Sequence, residues 1–235
     1  MPSVIVKVSD FNSAETVIAG AYTAQWDEVV HVLEGMPLHL KASDQAGIKG
    51  TPIFDAVGSN EYIKGALTHT NPPWQANIKI PAEYAFLGTD VDFGKRGMLV
   101  EVQFSNYPFL LNNLLRSELF FKARTLLAGH ATGVIVIITK AHMFRASNST
   151  LYYEQAFNQL DSLIKNHVFD IPIRLVGLFE QTGVAIPIKM TTYKEARYSR
   201  TVISRLDKQC TITLDAAGRR CRLIVAAEIE PPVQR

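Results

Sequence analysis

The segment GTDVDFGKRGMLVEVQFSN, residues 88–106, decides how the rest of the chain is read. MLVEVQF has the β-branched and aromatic content of a buried strand, and strand side chains alternate between faces. Glu101 and Gln103 therefore point one way, and Val100, Val102 and Phe104 the other. A carboxylate and an amide on one face of an apolar strand need polar company opposite them. The turn chemistry of GKRG, residues 94–97, folds the preceding stretch back as a partner strand, and that stretch carries Asp92.

The text downstream fixes the class of fold. Pro108 at a first helical position opens an amphipathic helix through Leu110, Leu111, Leu114, Leu115, Leu119 and Phe120. TGVIVIIT, residues 132–139, reads as a buried strand; residues 151–165 read as a second helix, and RLVGLFE, 174–180, as another strand. Strands alternating with helices in this rhythm imply right-handed crossovers and an α/β fold, a mixed sheet flanked by helices. Upstream, the first expected element is a helix over 14–33, with Trp26, Val29, Val30 and Leu33 as its stripe. A polar, glycine-rich stretch over 41–58 and a short helix over 61–67 follow. Beyond residue 184, AIPIKMTTY, TVISRL, CTITL and CRLIVAAEI are short β-like segments, which suggests an antiparallel β lobe. The expected division is a core over 1–183 and a β-rich subdomain over 184–235 packed on it.

At 235 residues and 47% apolar, the chain can bury one substantial core with a smaller appended lobe. Lys7 and Asp10 interrupt the N-terminus before a signal-like apolar stretch forms, and the run 134–138 is too short to span a bilayer, so a cytoplasmic location is expected. Cys210 and Cys221 form no CxxC and have no His at ligand spacing, so they read as reduced thiols. None of the six histidines shows metal or triad spacing. The net charge of +2 hides an acidic excess over 1–188 and a basic excess over 189–235, which fits a polyanion partner or a solvated surface.

Divalent-metal chemistry on phosphodiesters needs hard oxygen ligands converging on one point, and Mg²⁺ takes one or two carboxylates plus waters and substrate oxygens. Asp92, Glu101 and the main-chain carbonyl of Val102 could supply three such oxygens. The bland reading, carboxylates satisfied by Arg or backbone donors, fits the spacing equally well. Lys95, in the turn, reads as a phosphate contact or a solvated charge rather than as a base.

The pattern of an acid, a gap and E-x-polar resembles the PD-(D/E)XK nucleases. More specifically, FLGTDVDFGKRGMLVEVQFSNYPFLLNN, with MPLHLKASDQ upstream and ITKAHMF, ASNSTLYYEQA, FDIPIRLVGL and RYSRT downstream, resembles the BglII family of type II restriction endonucleases. The resemblance runs from about residue 36 to 201. It implies a homodimeric, Mg²⁺-dependent bacterial endonuclease that cuts double-stranded DNA at a palindrome with a GATC centre, AGATCT, leaving 5'-phosphates. A cognate DNA methyltransferase would be its functional partner. In that family glutamine replaces the motif lysine: Gln103 takes this place beside Asp92 and Glu101, and Asn77 in WQANIKIP matches a further active-site asparagine.

Three segments match the family's base-reading positions: Ser105 with Asn106, Asn148 with Ser149, and Tyr198 with Arg200. Taken singly, Asn106, Asn148 and Ser149 also sit where helix caps belong. Arg145 stands where the resemblance leads one to expect proline, and a new cation there would add a phosphate contact or alter base choice. A palindrome suits a two-fold dimer, with the apolar faces of helices 110–120 and 151–163 as candidate contacts. Rival readings are a structure-specific or repair nuclease on the same core, or a catalytically silent DNA-binding protein. A small-molecule hydrolase is disfavoured, since there is no nucleophile elbow and GIKGTP is not a phosphate loop.

Overall fold

The computed structural model describes residues 2–142, 144–146, 149–195, 200–217 and 221–226. In chain order the elements are β1 (Val4–Phe11), α1 (Ala14–Val17), a π turn (Ile18–Tyr22), α2 (Thr23–Gly35), β2 (Leu38–Ala42), β3 (Pro52–Phe54), α3 (Ala56–Thr68) and β4 (Gln75–Lys79). A 3₁₀ helix (Ala82–Leu87), β5 (Asp90–Lys95), β6 (Met98–Val102), α4 (Tyr107–Lys122) and a small hairpin of β7 (Leu126–Leu127) and β8 (His130–Ala131) follow. The chain continues through β9 (Val134–Lys140), α5 (Tyr153–Lys165), β10 (Ile173–Glu180), β11 (Ala185–Tyr193), β12 (Val202–Leu214) and β13 (Cys221–Val225).

The main sheet runs β1-β10-β9-β6-β5-β4. Its centre is parallel, β10 on β9 and β9 on β6, and its flanks are antiparallel, β1 on β10 and the hairpins β6–β5 and β5–β4. Every residue of β9 is buried, as a parallel strand covered on both faces requires. Alternation splits its side chains between two cores: Val134, Val136 and Ile138 on one face, Ile135 and Ile137 on the other. The first core is closed by α2, α3 and the second sheet, through Leu33, Ile63, Leu40 and Ile188. The second is closed by α4 and α5, through Leu110, Leu114, Phe120 and Leu160. Burying one such aliphatic side chain contributes about 1.5–3 kcal/mol, so both helix pairs are held chiefly by these stripes.

The β5–β6 turn forms as the sequence implies. Arg96 (φ 52°) and Gly97 (φ 93°) both take the left-handed conformation that a tight two-residue hairpin demands. A Cβ on Gly97 would meet the Ala131 carbonyl oxygen at 2.6 Å, so the hairpin also needs glycine for close approach.

Several expectations are corrected. The chain opens with β1 rather than a helix, and the expected helix over 14–33 is interrupted by the π turn at 18–22. β1 is an edge strand with Ile5 and Val8 exposed, which blurs its alternation. The second sheet runs β13-β12-β11-β2-β3. Its C-terminal strands are antiparallel as expected, but it is completed by β2, which pairs in parallel with β11, and by β3, from within the glycine-rich stretch. LHLKA alternates over only five residues, and His39 is buried along with Leu38 and Leu40, so the strand is not marked by a solvated polar face. On α4 the stripe Leu110, Leu114 and Phe120 is spent on the core, and the large apolar side chains left exposed for any partner are Tyr107, Phe109, Leu111 and Leu115. Among the described residues no helix is long and apolar enough to cross a membrane.

Candidate active site

An open cleft of about 770 Å³ is cut between the β5–β6 end of the main sheet, the start of α4 and the second-sheet side of the molecule. Asp92, Glu101, Val102, Gln103 and Ser105 line it, as does Arg200 from the far side. β5 and β6 deliver Asp92 and Glu101 side by side, with the Val102 peptide N–H donating to Asp92 Oδ2 at 2.8 Å. Glu101 and Gln103 share the face turned toward α4, as the alternation requires, and both are buried.

The polar company is supplied by α4. Arg116 Nη2 donates to Glu101 Oε1, and the guanidinium is itself buried. Asn113 Nδ2 donates to Gln103 Oε1 at 3.0 Å and stands 3.5 Å from Glu101 Oε2. Gln103 Nε2 in turn donates to Ser105 Oγ at 2.5 Å. The amide orientations follow from the acceptors: a carboxylate only accepts, so Asn113 presents its NH₂ there, and Gln103 must offer its oxygen to that NH₂. Asn113 and Arg116 went unread in the sequence. The available signal was positional, because both interrupt the apolar face carrying Leu110, Leu114 and Phe120 at helical spacing.

Burial pushes the Glu101 carboxyl up to about 8; Arg116 opposes the rise and the Asp92 carboxylate adds to it. Burial also raises Asp92, with the Val102 N–H and Arg116 working the other way. Two carboxylates crowded in a desolvated cleft make a local excess of negative potential that a cation would relieve. Among the described residues no three His, Cys, Asp or Glu side chains gather to hold a metal. The donor set is two carboxylates with main-chain oxygen and water, hard oxygen chemistry that fits Mg²⁺.

Asn77 stands on β4 opposite Asp92 in the ladder, between the pairs Ala76–Phe93 and Ile78–Val91. It is exposed, in the left-handed region (φ 51°), and is not among the side chains lining the cleft. Ser105 is exposed at the cleft, and its carbonyl oxygen accepts from the N–H groups of Thr150 (3.1 Å) and Leu151 (3.0 Å) and from Ser149 Oγ (3.2 Å). Asn106 Oδ1 accepts from Thr150 Oγ1 at 3.2 Å. The strand-to-helix corner and the 149–151 loop are therefore knit together. The capping alternative does not form: Asn106 occupies the N-cap of α4 without a side-chain cap bond, and the N-cap of α5 is Tyr152, not Ser149. Asn148 and Tyr198 lie outside the described residues.

One charge behaves differently from expectation. Lys95 is neither solvated nor at the cleft. Its Nζ donates to both Glu28 carboxylate oxygens at 2.7 Å and to the Pro72 carbonyl at 2.5 Å, beneath Trp74. The hairpin twist turns its side chain into the molecule, where a buried ammonium requires an acid. Arg145 lines a separate pocket with Thr213, Asp215 and Arg222, away from the catalytic cleft.

Comparison with known proteins bears on this geometry. Residues 6–178 match the family described as restriction endonuclease BglII/BglIII. The type II restriction enzyme BglII of Bacillus subtilis is 54% identical over 200 residues, 85% of this chain and 87% of that protein. The crystal structure of restriction endonuclease BglII complexed with a DNA 16-mer superposes with a TM-score of 0.89 at 49% identity, over 94% of this chain and all of that one. Free BglII superposes with a TM-score of 0.73 at 47% identity over the same shares. A relative this similar over most of both chains leaves no ambiguity of family: the chain is a type II restriction endonuclease of the BglII/BglIII family.

Proposed function

We propose that this endonuclease hydrolyses both strands of a palindromic duplex with a GATC centre, AGATCT, in a Mg²⁺-dependent reaction that leaves 5'-phosphates. The observation that carries the reading is the convergence of Asp92, Glu101 and Gln103 in one cleft with Ser105 and Arg200. Likeness to an enzyme crystallised on DNA supports duplex DNA as the substrate.

Asp92, Glu101 and the Val102 carbonyl would hold the ion. When bound, Mg²⁺ supplies polarisation of the scissile phosphate and a nucleophilic water at neutral pH. Gln103 has no basic nitrogen, so it takes no proton from that water. With Nε2 committed to Ser105, one lone pair of Oε1 engaged by Asn113 and the other open, Gln103 can fix the orientation of the attacking water. Arg116 opposes the rise that burial imposes on the Glu101 carboxyl and holds it aimed into the cleft, where a bound cation would complete its ionisation. Asn77, on the neighbouring strand, would act from the rim.

Base reading is assigned to Ser105, Asn106, Asn148, Ser149, Tyr198 and Arg200, with Arg suited to guanine and Asn to adenine in the major groove. Two copies of the chain related by a two-fold axis would each read one half-site, with Leu111 and Leu115 of α4 available for the contact. An enzyme that cuts such a site needs its own genome masked, which makes a cognate DNA methyltransferase its functional partner in the bacterial cytoplasm.

The test is digestion of a plasmid of known sequence with Mg²⁺, followed by sequencing of the ends. Discrete fragments ending within AGATCT are expected; a smear, or no cutting, would overturn the reading. Asp92→Ala and Glu101→Ala should abolish cleavage while keeping specific binding in Ca²⁺, because each removes negative charge near a phosphate. Wild-type cleavage in either variant would remove that residue from the metal site.

A further inference from the structure

The same cleft is lined by a further buried carboxylate that the Asp92–Glu101 pair does not use, Asp55. It joins β3 to α3 and is completely buried. Its Oδ2 accepts from the Tyr193 hydroxyl at 2.7 Å, while its Oδ1 has no hydrogen-bond partner. The neighbouring His39, 2% exposed, has both ring nitrogens without partners, as has the Ser59 hydroxyl. Burying a carboxylate with one oxygen unsatisfied costs stability. Part of that cost is offset because Asp55 is the N-cap residue of α3, where the Gly58 and Val57 N–H groups favour the ionised form. What the carboxylate adds beyond the cap is a fixed point for Tyr193.

Tyr193 is the last residue of β11, just past an irregularity in the β11–β12 ladder between Thr192 and Tyr193. The Lys194 N–H donates to the Thr201 carbonyl at 2.9 Å, which ties the residue after β11 to the neighbour of Arg200. Arg200 lines the cleft with Asp92 and Glu101. A second tie holds the same region: Arg205 Nη2 donates to Glu61 Oε2 at 2.8 Å, and Arg205 Nε to Thr191 Oγ1 at 3.4 Å. The first half of α3 and its N-cap thus grip both β11, through Asp55, and β12, through Glu61.

We infer that Asp55 is a specificity-positioning residue, which through the Tyr193 hydroxyl and the Lys194–Thr201 hydrogen bond sets where Arg200 meets the DNA. The inference rests on the proposed base-reading role of Arg200. Asp55 acts on the support of Arg200 rather than on the duplex: a carboxylate offers phosphate only repulsion, and its bonded oxygen is committed to Tyr193.

The experiment is competition binding of the full-length protein in Ca²⁺, with AGATCT duplex against its single-base variants and against non-specific duplex. Proteins compared are wild type, Arg200→Ala, Tyr193→Phe, Asp55→Ala and Asp55→Asn. Arg200→Ala identifies the base pair it reads as the one whose discrimination it relaxes. Tyr193→Phe and Asp55→Ala should relax discrimination at that same pair by roughly five- to tenfold, with non-specific affinity within about twofold of wild type. Asp55→Asn, which can still accept from Tyr193, should recover most of it. A residue that only stabilised the fold would lower the melting temperature and weaken all duplexes alike, and that outcome overturns the inference. So does an Arg200→Ala effect at one pair that Tyr193→Phe fails to reproduce; Tyr193→Phe removes a single atom, so it decides even where Asp55→Ala does not fold. If Arg200→Ala relaxes no pair, the base-reading role fails first and this inference falls with it.

Discussion

Replacing Lys95 by Met separates a structural cation from a DNA-contacting one. The ammonium makes three hydrogen bonds, two to Glu28 at 2.7 Å and one to Pro72 at 2.5 Å, and its side chain is 5% exposed. Breaking a fully buried pair costs about 3–5 kcal/mol, mostly because the remaining charge is stranded. Here the stranded Glu28 side chain is 27% exposed and keeps the Trp74 indole N–H at 2.7 Å. Both features soften the loss, so we expect about 2–4 kcal/mol. For a chain of this size that corresponds to a fall in Tm of roughly 5–15 °C. Urea unfolding followed by tryptophan fluorescence should show a lower midpoint at an unchanged m-value. DNA affinity and its salt dependence, measured well below the transition, should remain those of the wild type. Lys95→Met combined with Glu28→Gln should regain much of the lost stability, since the neutral amide removes the stranded charge and its oxygen still accepts from the Trp74 indole N–H. A wild-type unfolding midpoint, accompanied by uniformly weaker DNA binding and a shallower salt dependence, would refute the assignment and restore Lys95 as a phosphate contact.

The remaining predictions concern positioning and pH. If Asn113 acts through Gln103, Asn113→Ala should lower kcat by about 10- to 100-fold in the wild-type background and by little in Gln103→Ala; equal losses in both backgrounds would show independent roles. Burial, then Arg205 and Lys189, push His39 from 6.5 down to about 4, so the folded protein disfavours the imidazolium that the unfolded chain readily forms. This contribution to stability is complete above pH 6.5 and is lost as pH falls toward 4, amounting to about 3 kcal/mol. His39→Gln should flatten the acid limb of a stability–pH profile over that window, and an unaltered limb would show that the imidazole does not titrate there.

What local sequence determined here is whatever follows from period and turn chemistry. Alternation in MLVEVQF places Glu101 and Gln103 on one face because the strand pleat leaves no other choice. The φ > 0 demand of a tight hairpin puts the β5–β6 turn at Arg96-Gly97, which brings Asp92 beside Glu101. The buried aliphatics of β9 and the leucine stripe of α4 were equally plain, since each depends on neighbours a few residues away. The family, too, was legible, because its motifs run in order along most of the chain.

Contacts between residues far apart in the chain were decided by tertiary structure alone. Lys95 reads as a solvated turn residue until Glu28, distant in sequence, arrives to meet it. β2 and β3 are too short to declare themselves, at five and three residues, and become strands because β11 offers β2 a parallel edge. Asn113 and Arg116 look like blemishes on an apolar helix face until the sheet packs Glu101 and Gln103 beneath them. Asp55 owes its burial to Tyr193, which reaches it from the other end of the chain. The three polar cases share one physical reason. A buried charge or amide is tolerable only with a partner of complementary chemistry, and periodicity says where a side chain points but nothing about what the folded chain will bring to face it.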